Sequence, residues 1–292
     1  ASLRGLSGLQ APLVGREGQM ATLKSAVRAA GQGSGRIVSV MGESGLGKSR
    51  LIAELEREVA ADIVSDLLWL EGPSQSYETG TPFAPFIEIF STYFDLDASQ
   101  TEVQKVERIK EQIDNLFPGQ GGAIAPFFAS MLGLPLELAD AERIKFLSPP
   151  ELRGAIFSHV RSLLEKRLLR QPLTLYFDDL HWVDPTSLEL LELLLPLVQQ
   201  NSLLIICAFR PRRQEPSWGF HKTAERDYAA DYDVLSLNPL DQDQSRELVA
   251  NLLTVDDLPE KVRQTILDKS EGNPFFVEEK IRTLLDNGLV VK

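Results

Sequence analysis

The segment Gly42-Glu43-Ser44-Gly45-Leu46-Gly47-Lys48-Ser49 constrains this chain more than any other, because it matches G-x-x-x-x-G-K-[ST] and has the flanks that the pattern needs. Residues 37–41 before it form a short apolar run that reads as a buried strand. Residues 48–60 after it read as a helix with Glu54, Glu56 and Arg57 facing solvent. Glycines are needed here for a physical reason. The backbone must curl tightly enough to aim successive N–H groups at one anion, and Gly45 and Gly47 permit the torsions that other residues avoid. The unsatisfied N–H groups at the helix start, with the helix dipole behind them, add to the attraction for phosphate. In this reading Glu43, Ser44, Gly45, Leu46 and Gly47 form the cradle, and Arg50 closes the set of nucleotide-binding positions. Lys48 bridges the β- and γ-phosphates, and the Ser49 hydroxyl ligates Mg²⁺. The alternative is a glycine-rich strand-to-helix turn with an accidental Lys-Ser, and the two flanks argue against it.

The remainder of the chain supplies a scaffold for such a loop. Strand-like runs at 37–41, 67–71, 173–177, 203–209 and 233–237 alternate with helix-like ones, which predicts an α/β fold with a parallel sheet covered by helices. The stretch 72–147 is longer than one crossover needs. Its helical patches at 86–94, 102–116 and 123–131 are separated by Gly and Pro, so it reads as a helical insertion (about 73–147). A well-marked helix follows, with Ser148 and Glu151 as a capping box and Leu152, Ile156, Val160, Leu163, Leu164 and Leu168 recurring every three or four residues. After Leu240 the alternation stops, and amphipathic helices are expected at 242–253, 259–269 and 274–286. The division that follows is a P-loop nucleotide-binding domain over 1–240 and a small all-α domain over 241–292.

A second anchor for a nucleotide lies at the end of the third strand, in Leu173-Thr174-Leu175-Tyr176-Phe177-Asp178-Asp179. Two adjacent carboxylates at the tip of an apolar strand are costly unless a cation neutralises them. Asp178 would orient Mg²⁺ through water, and Asp179 would polarise the attacking water. His181 beside Trp182 fits either a hydrogen-bonded structural group or a contact to the γ-phosphate. Asp184 before Pro185 reads as a helix N-cap. The fourth strand runs into Arg210, whose place at the carboxyl end of a parallel strand suits it to reach a terminal phosphate. Arg212 and Arg213 read as a solvated loop, or as groups serving a neighbouring subunit in a ring.

Charge and cysteine content exclude several classes. The 30 Lys and Arg against 42 Asp and Glu give a net charge of −12, which opposes sequence-independent binding of nucleic acid. Residues 1–50 run the other way, with 7 basic against 2 acidic groups, in keeping with a small anion held there. The single cysteine, Cys207, lies within the fourth apolar run and has no partner for an internal disulfide, which fits a reducing, cytoplasmic setting. No signal peptide opens the chain, and the apolar stretch 188–209 is too interrupted by Glu189, Glu192, Pro196 and Asn201 to span a bilayer.

Taken in order, Leu13-Val14-Gly15-Arg16-Glu17, the P-loop, Asp178-Asp179-Leu180-His181-Trp182-Val183-Asp184, Arg210, Leu237-Asn238-Pro239-Leu240 and Gly272-Asn273-Pro274-Phe275-Phe276 resemble the core of the STAND class, the signal-transduction ATPases related to AAA+ proteins. The resemblance covers most of the chain and is nearest to the ATPase segments of large bacterial regulators that follow adenylyl cyclase domains or precede LuxR-type DNA-binding domains. It implies the strand order 5-1-4-3-2 and a lid formed by the last helices. It also implies that Val14, Gly15 and Arg16 pack against adenine and that Pro274 approaches the base from the lid. The residues alone leave open a plain turn at Val14 to Arg16 and a helix cap at Asn273-Pro274. In this class a winged-helix domain follows the lid, so a chain stopping at Leu289-Val290-Val291-Lys292 is expected to be a fragment or an excised core.

The function expected from all of this is an ATP-binding and ATP-hydrolysing switch that uses ATP/ADP and Mg²⁺. Its partners would be effector or sensor domains in cis or other proteins, with a nucleotide-dependent oligomer as a further form. A nucleotide-dependent interaction scaffold with negligible turnover is the main alternative. A small-molecule kinase ranks below it, since no acceptor pocket is evident.

Overall fold

The computed structural model describes residues 12–60, 66–252 and 260–286. Five strands, β1 (Arg36–Met41), β2 (Leu68–Pro73), β3 (Leu173–Asp178), β4 (Leu203–Phe209) and β5 (Tyr232–Ser236), form one sheet in the order β2-β3-β4-β1-β5. All four pairings are parallel, and the order is the expected 5-1-4-3-2 read from the other edge. The central strands explain why the apolar runs were continuous rather than alternating. Helices cover both faces, so every residue of β4 is buried. Leu204, Ile206 and Ala208 face one apolar cluster with α1 (Glu17–Gly31) and α2 (Lys48–Glu58), whereas Leu203, Ile205, Cys207 and Phe209 face another with α7 (Pro149–Leu168) and α8 (Pro185–Leu194).

Strand ends differ from expectation by one or two residues, for a definite reason. The apolar run of β2 stops at Leu70, yet pairing with β3 continues through Gly72 opposite Phe177 and Pro73 opposite Asp178. Register, not hydrophobicity, sets that end. Pro73 is tolerated because β2 is an edge strand. At β5 the Leu237 amide still donates to the Met41 carbonyl at 2.7 Å, beyond the last paired residue.

The insertion consists of α3 (Ala84–Tyr93), α4 (Glu102–Leu116), α5 (Gly121–Met131) and α6 (Leu138–Lys145). It is not an appended body, since Phe86, Phe90, Phe94 and Phe128 belong to the same apolar cluster as β3 and α7. Phe86 meets Phe177 of β3 edge-on at 5.4 Å, and Phe90 meets Phe128 at 5.2 Å. Thr101 and Gln104 form a capping box at the start of α4, as Ser148 and Glu151 do at α7. The sequence pattern does not single out α1, whose buried face includes the small Ala26 and Ala30, nor α6 and α9 (Pro216–Asp227), and of α8 it marks only the start, at Asp184-Pro185.

The last helices are α10 (Gln242–Leu252), α11 (Glu260–Ser270) and α12 (Pro274–Asp286). Leu248, Val249, Leu252, Ile266, Val277 and Ile281 form an apolar cluster of their own, which Val14 and Leu240 join. The expected helix boundaries at 253 and 259 and the terminal residues 289–292 lie outside the described residues. Among the described residues no helix is long and apolar enough to cross a membrane. The stretch 188–209 is instead most of α8, a 3-10 turn (Leu195–Gln200) and β4. Replacing Phe86 by Ala should destabilise the protein by about 3–5 kcal/mol, read as a lowered midpoint in urea unfolding.

Candidate functional site

The ends of β1, β3 and β4 lie side by side, and each delivers polar groups to one place. After Met41 the chain leaves β1 through Gly42, whose amide donates to the Phe209 carbonyl at 3.2 Å and so ties the loop to the end of β4. The loop then turns through positive φ at Gly45 (81°) and Gly47 (91°), and Gly47 caps α2 in the left-handed region. Lys48 is 7% exposed, and its Nζ donates to the carbonyls of Gly42 at 2.8 Å and Glu43 at 3.2 Å. Burial lowers the pKa of this ammonium, while the carboxylates of Asp179 and Asp178 oppose that loss and Arg210 adds to it.

The acidic end of β3 closes on the loop directly. Ser49 Oγ donates to Asp178 Oδ2 at 2.9 Å, and the other carboxylate oxygen of Asp178 accepts the Asp179 amide at 3.0 Å. Burial, then the adjacent Asp179, pushes the Asp178 carboxyl above the usual range. Asp179 is a non-glycine residue at φ 50°, a conformation that costs energy and concentrates at functional sites. It starts the 3-10 turn Leu180–Trp182, closed by the Trp182 amide donating to the Asp179 carbonyl at 2.8 Å. His181 is buried within that turn, and its Nδ1 lies 3.8 Å from Asp179 Oδ1. Burial first, then the charges of Arg210 and Lys48, lower its pKa to about 4, so the ring is neutral at physiological pH.

Arg210 follows the last residue of β4 and is half-buried, with Nε shielded from solvent and without a hydrogen-bond partner. Arg212 and Arg213 are exposed. Arg212 pairs with Glu215 at 3.7 Å and Glu43 at 3.9 Å, and Arg213 lies over the Trp218 ring at 5.9 Å, as befits a solvated loop. Asp184 is the N-cap of α8, accepting from the Ser187 amide at 2.9 Å. The same oxygen lies 3.4 Å from the Phe83 amide, which links the helical insertion to the turn after β3.

The helices after residue 240 meet the loop at its outer turn. Asn273 Nδ2 donates to the Ser44 carbonyl at 3.0 Å, and the Phe275 amide donates to the Gly45 carbonyl at 3.3 Å. A Cβ at Gly45 would stand 2.6 Å from Asn273 Oδ1, so a side chain there would push this contact apart. Arg50 and Glu278 of α12 form an ion pair across the same junction, and burial nonetheless pushes the Glu278 carboxyl above its usual range. Pro274 opens α12 beside these contacts. Gly15, at φ 66°, lies against the Gln244 carboxamide, and Arg16 donates to the carbonyls of Asn238 at 2.7 Å and Leu46 at 3.3 Å. The Arg16 guanidinium is thus engaged by two backbone carbonyls that tie its segment to the loop. Sequence reasoning missed Gln244 and Glu278, and also the contact of Asn273 with the loop. The motif carrying Asn273 was visible, whereas Gln244 and Glu278 sit in ordinary amphipathic helices and left no signal.

These residues fit a polyphosphate with a divalent cation. The left-handed glycines allow inward-facing amides, Lys48 supplies a buried positive charge, and Ser49 with Asp178 offers hard oxygen donors 2.9 Å apart. Among the described residues no group of three or more His, Cys, Asp or Glu side chains is arranged to hold a metal alone. A cation here would therefore draw its other ligands from phosphate and water.

Residues 12–206 match the family described as AAA ATPase domain, and residues 241–291 match one described as a domain of unknown function. An uncharacterized protein of Rhizobium meliloti (strain 1021) is 25% identical over 278 residues, covering 92% of this chain; the chain spans 24% of that relative's length. The crystal structure of Cdc6p from Pyrobaculum aerophilum superposes with a TM-score of 0.51 at 14% identity, covering 97% of this chain and 65% of that one, which is a likeness of fold. With the P-loop geometry and two thirds of its length matched, this chain belongs to the AAA ATPase domain family and has that family's nucleotide-binding core.

Proposed function

We propose that the chain is an ATP-hydrolysing switch of the STAND type, with a nucleotide-binding domain over 1–240 and a lid over 241–292. The observation that carries this reading is the 2.9 Å hydrogen bond from Ser49 to Asp178, which joins the P-loop to the acidic strand end at one point. Lys48 holds the β- and γ-phosphates, with the amides of Glu43 to Gly47 around them. Ser49 and Asp178 would hold Mg²⁺, Asp178 through water, and the ion would supply positive charge against the phosphates. Asp179 orients and deprotonates the attacking water, and Arg210 senses the γ-phosphate. Val14, Gly15, Arg16 and Pro274 flank the base, with Arg50 at the loop's lid side.

The contacts of Asn273, Phe275 and Glu278 with the loop and Arg50 support a lid that responds to the phosphates. Such a switch works by binding nucleotide more tightly in one lid arrangement than in another. The output then passes to attached domains or partner proteins, in keeping with a chain that spans a quarter of its relative. The acidic balance favours protein partners over nucleic acid, and the buried Cys207 favours a reducing, cytoplasmic setting.

Three substitutions test the scheme. Lys48→Ala should weaken ATP binding in calorimetry by about tenfold or more, equivalent to at least ~1.4 kcal/mol; unchanged affinity would remove the P-loop assignment. Asp179→Ala should lower phosphate release by about 10²- to 10⁴-fold while ATP binding persists. Absence of turnover in the unaltered protein, in every assembly state, would point to the scaffold instead. Arg210→Ala should reduce affinity for ATP about tenfold more than affinity for ADP, and an equal loss for both nucleotides would count against γ-phosphate sensing.

A further inference from the structure

His181 has no task in the scheme above, although it sits inside it. Its side chain is fully shielded from solvent, and neither ring nitrogen has a hydrogen-bond partner. A buried polar atom left unpaired costs about 1–3 kcal/mol, and native structures keep few of them. An apolar side chain would fill the same space without that cost. The ring is held in place from two directions: Trp182 packs on it at 5.0 Å, and the 3-10 turn is locked by the Trp182 amide to the Asp179 carbonyl. This arrangement leaves Nδ1 3.8 Å from Asp179 Oδ1, just outside hydrogen-bonding range. Asp179 itself is held at φ 50°, so both ends of this short gap are fixed by one strained turn. A neutral imidazole has one donor and one acceptor nitrogen, and Asp179 provides the nearby acceptor.

We propose that His181 is a positioning residue for hydrolysis: its Nδ1–H closes onto Asp179 Oδ1 and fixes the carboxylate in the orientation that takes the proton of the attacking water. This rests on the reading of Asp179 given above. In the step, the bond from water oxygen to the γ-phosphorus forms and the bond from phosphorus to the leaving diphosphate oxygen breaks. The water proton passes to the Asp179 carboxylate, and His181 neither gains nor loses a proton.

The test is steady-state ATPase kinetics, with calorimetric ATP affinity and melting temperature, on the full chain carrying His181→Phe, His181→Asn or His181→Gln. The Asn amide falls near the position of Nδ1 and the Gln amide near that of Nε2. His181→Phe and His181→Gln should lower kcat by about tenfold or more with KM and ATP affinity within about twofold, and His181→Asn should restore most of the rate. In an Asp179→Ala background His181→Phe should cost nothing further. Should His181→Phe fail to fold, the Asn and Gln variants decide alone. Unchanged kcat in His181→Phe and His181→Gln overturns the proposal, as does rescue by Gln but not Asn, or a loss confined to KM and melting temperature. If the unaltered protein hydrolyses ATP and Asp179→Ala does not, those outcomes remove only the His181 role; if neither hydrolyses ATP, or both do, the reading of Asp179 fails and the His181 role falls with it.

Discussion

The chain passes from buried β1 into α2 through a tight curl that needs left-handed torsions, and Gly45 and Gly47 supply both turns. The other features of the site depend on that curl. It sets α2 so that Lys48 points back to the Gly42 and Glu43 carbonyls, and it leaves Ser49 facing Asp178 on the strand two places away in the sheet. It also presents the Ser44 and Gly45 carbonyls outward, where Asn273 and Phe275 reach them. A side chain at Gly45 would strain the turn and collide with Asn273 together.

The ends of β1, β4 and β3 are neighbours, so a buried lysine meets a half-buried arginine and two half-buried aspartates. Attraction between unlike charges partly offsets the cost of burying them, and the directions of their pKa shifts reflect that contest. Burial lowers Lys48 and raises Asp178, and the aspartates pull Lys48 back. His181 stays neutral among them because burial, and then the charges of Arg210, Lys48 and Arg212, hold its pKa down.

Two devices attach the rest of the molecule to this centre. Asp184 caps α8 and also approaches the Phe83 amide, so the helical insertion is joined to the turn that carries Asp179 and His181. The Arg50–Glu278 pair and the Asn273 carboxamide join α12 to the loop and to α2. Each is a small polar contact between elements far apart in sequence, and each fixes a definite geometry.

Much of this was legible in the sequence because it rests on local rules. Continuous apolar runs marked the five strands to within two residues, a capping box marked the start of α7, and the glycine spacing marked the loop. Weak periodicity hid α1, whose buried face includes alanines, and nothing local marked Gln244 or Glu278. The sequence by itself determined the loop, the acidic strand end and the alternation of strand and helix, since each follows from residue type and spacing over a few positions. Tertiary structure alone decided that Ser49 meets Asp178, that Arg16 turns to the carbonyls of Leu46 and Asn238, and that His181 is sealed beside Asp179. Those contacts join residues brought together by sheet register and packing, and no short-range pattern carries that information.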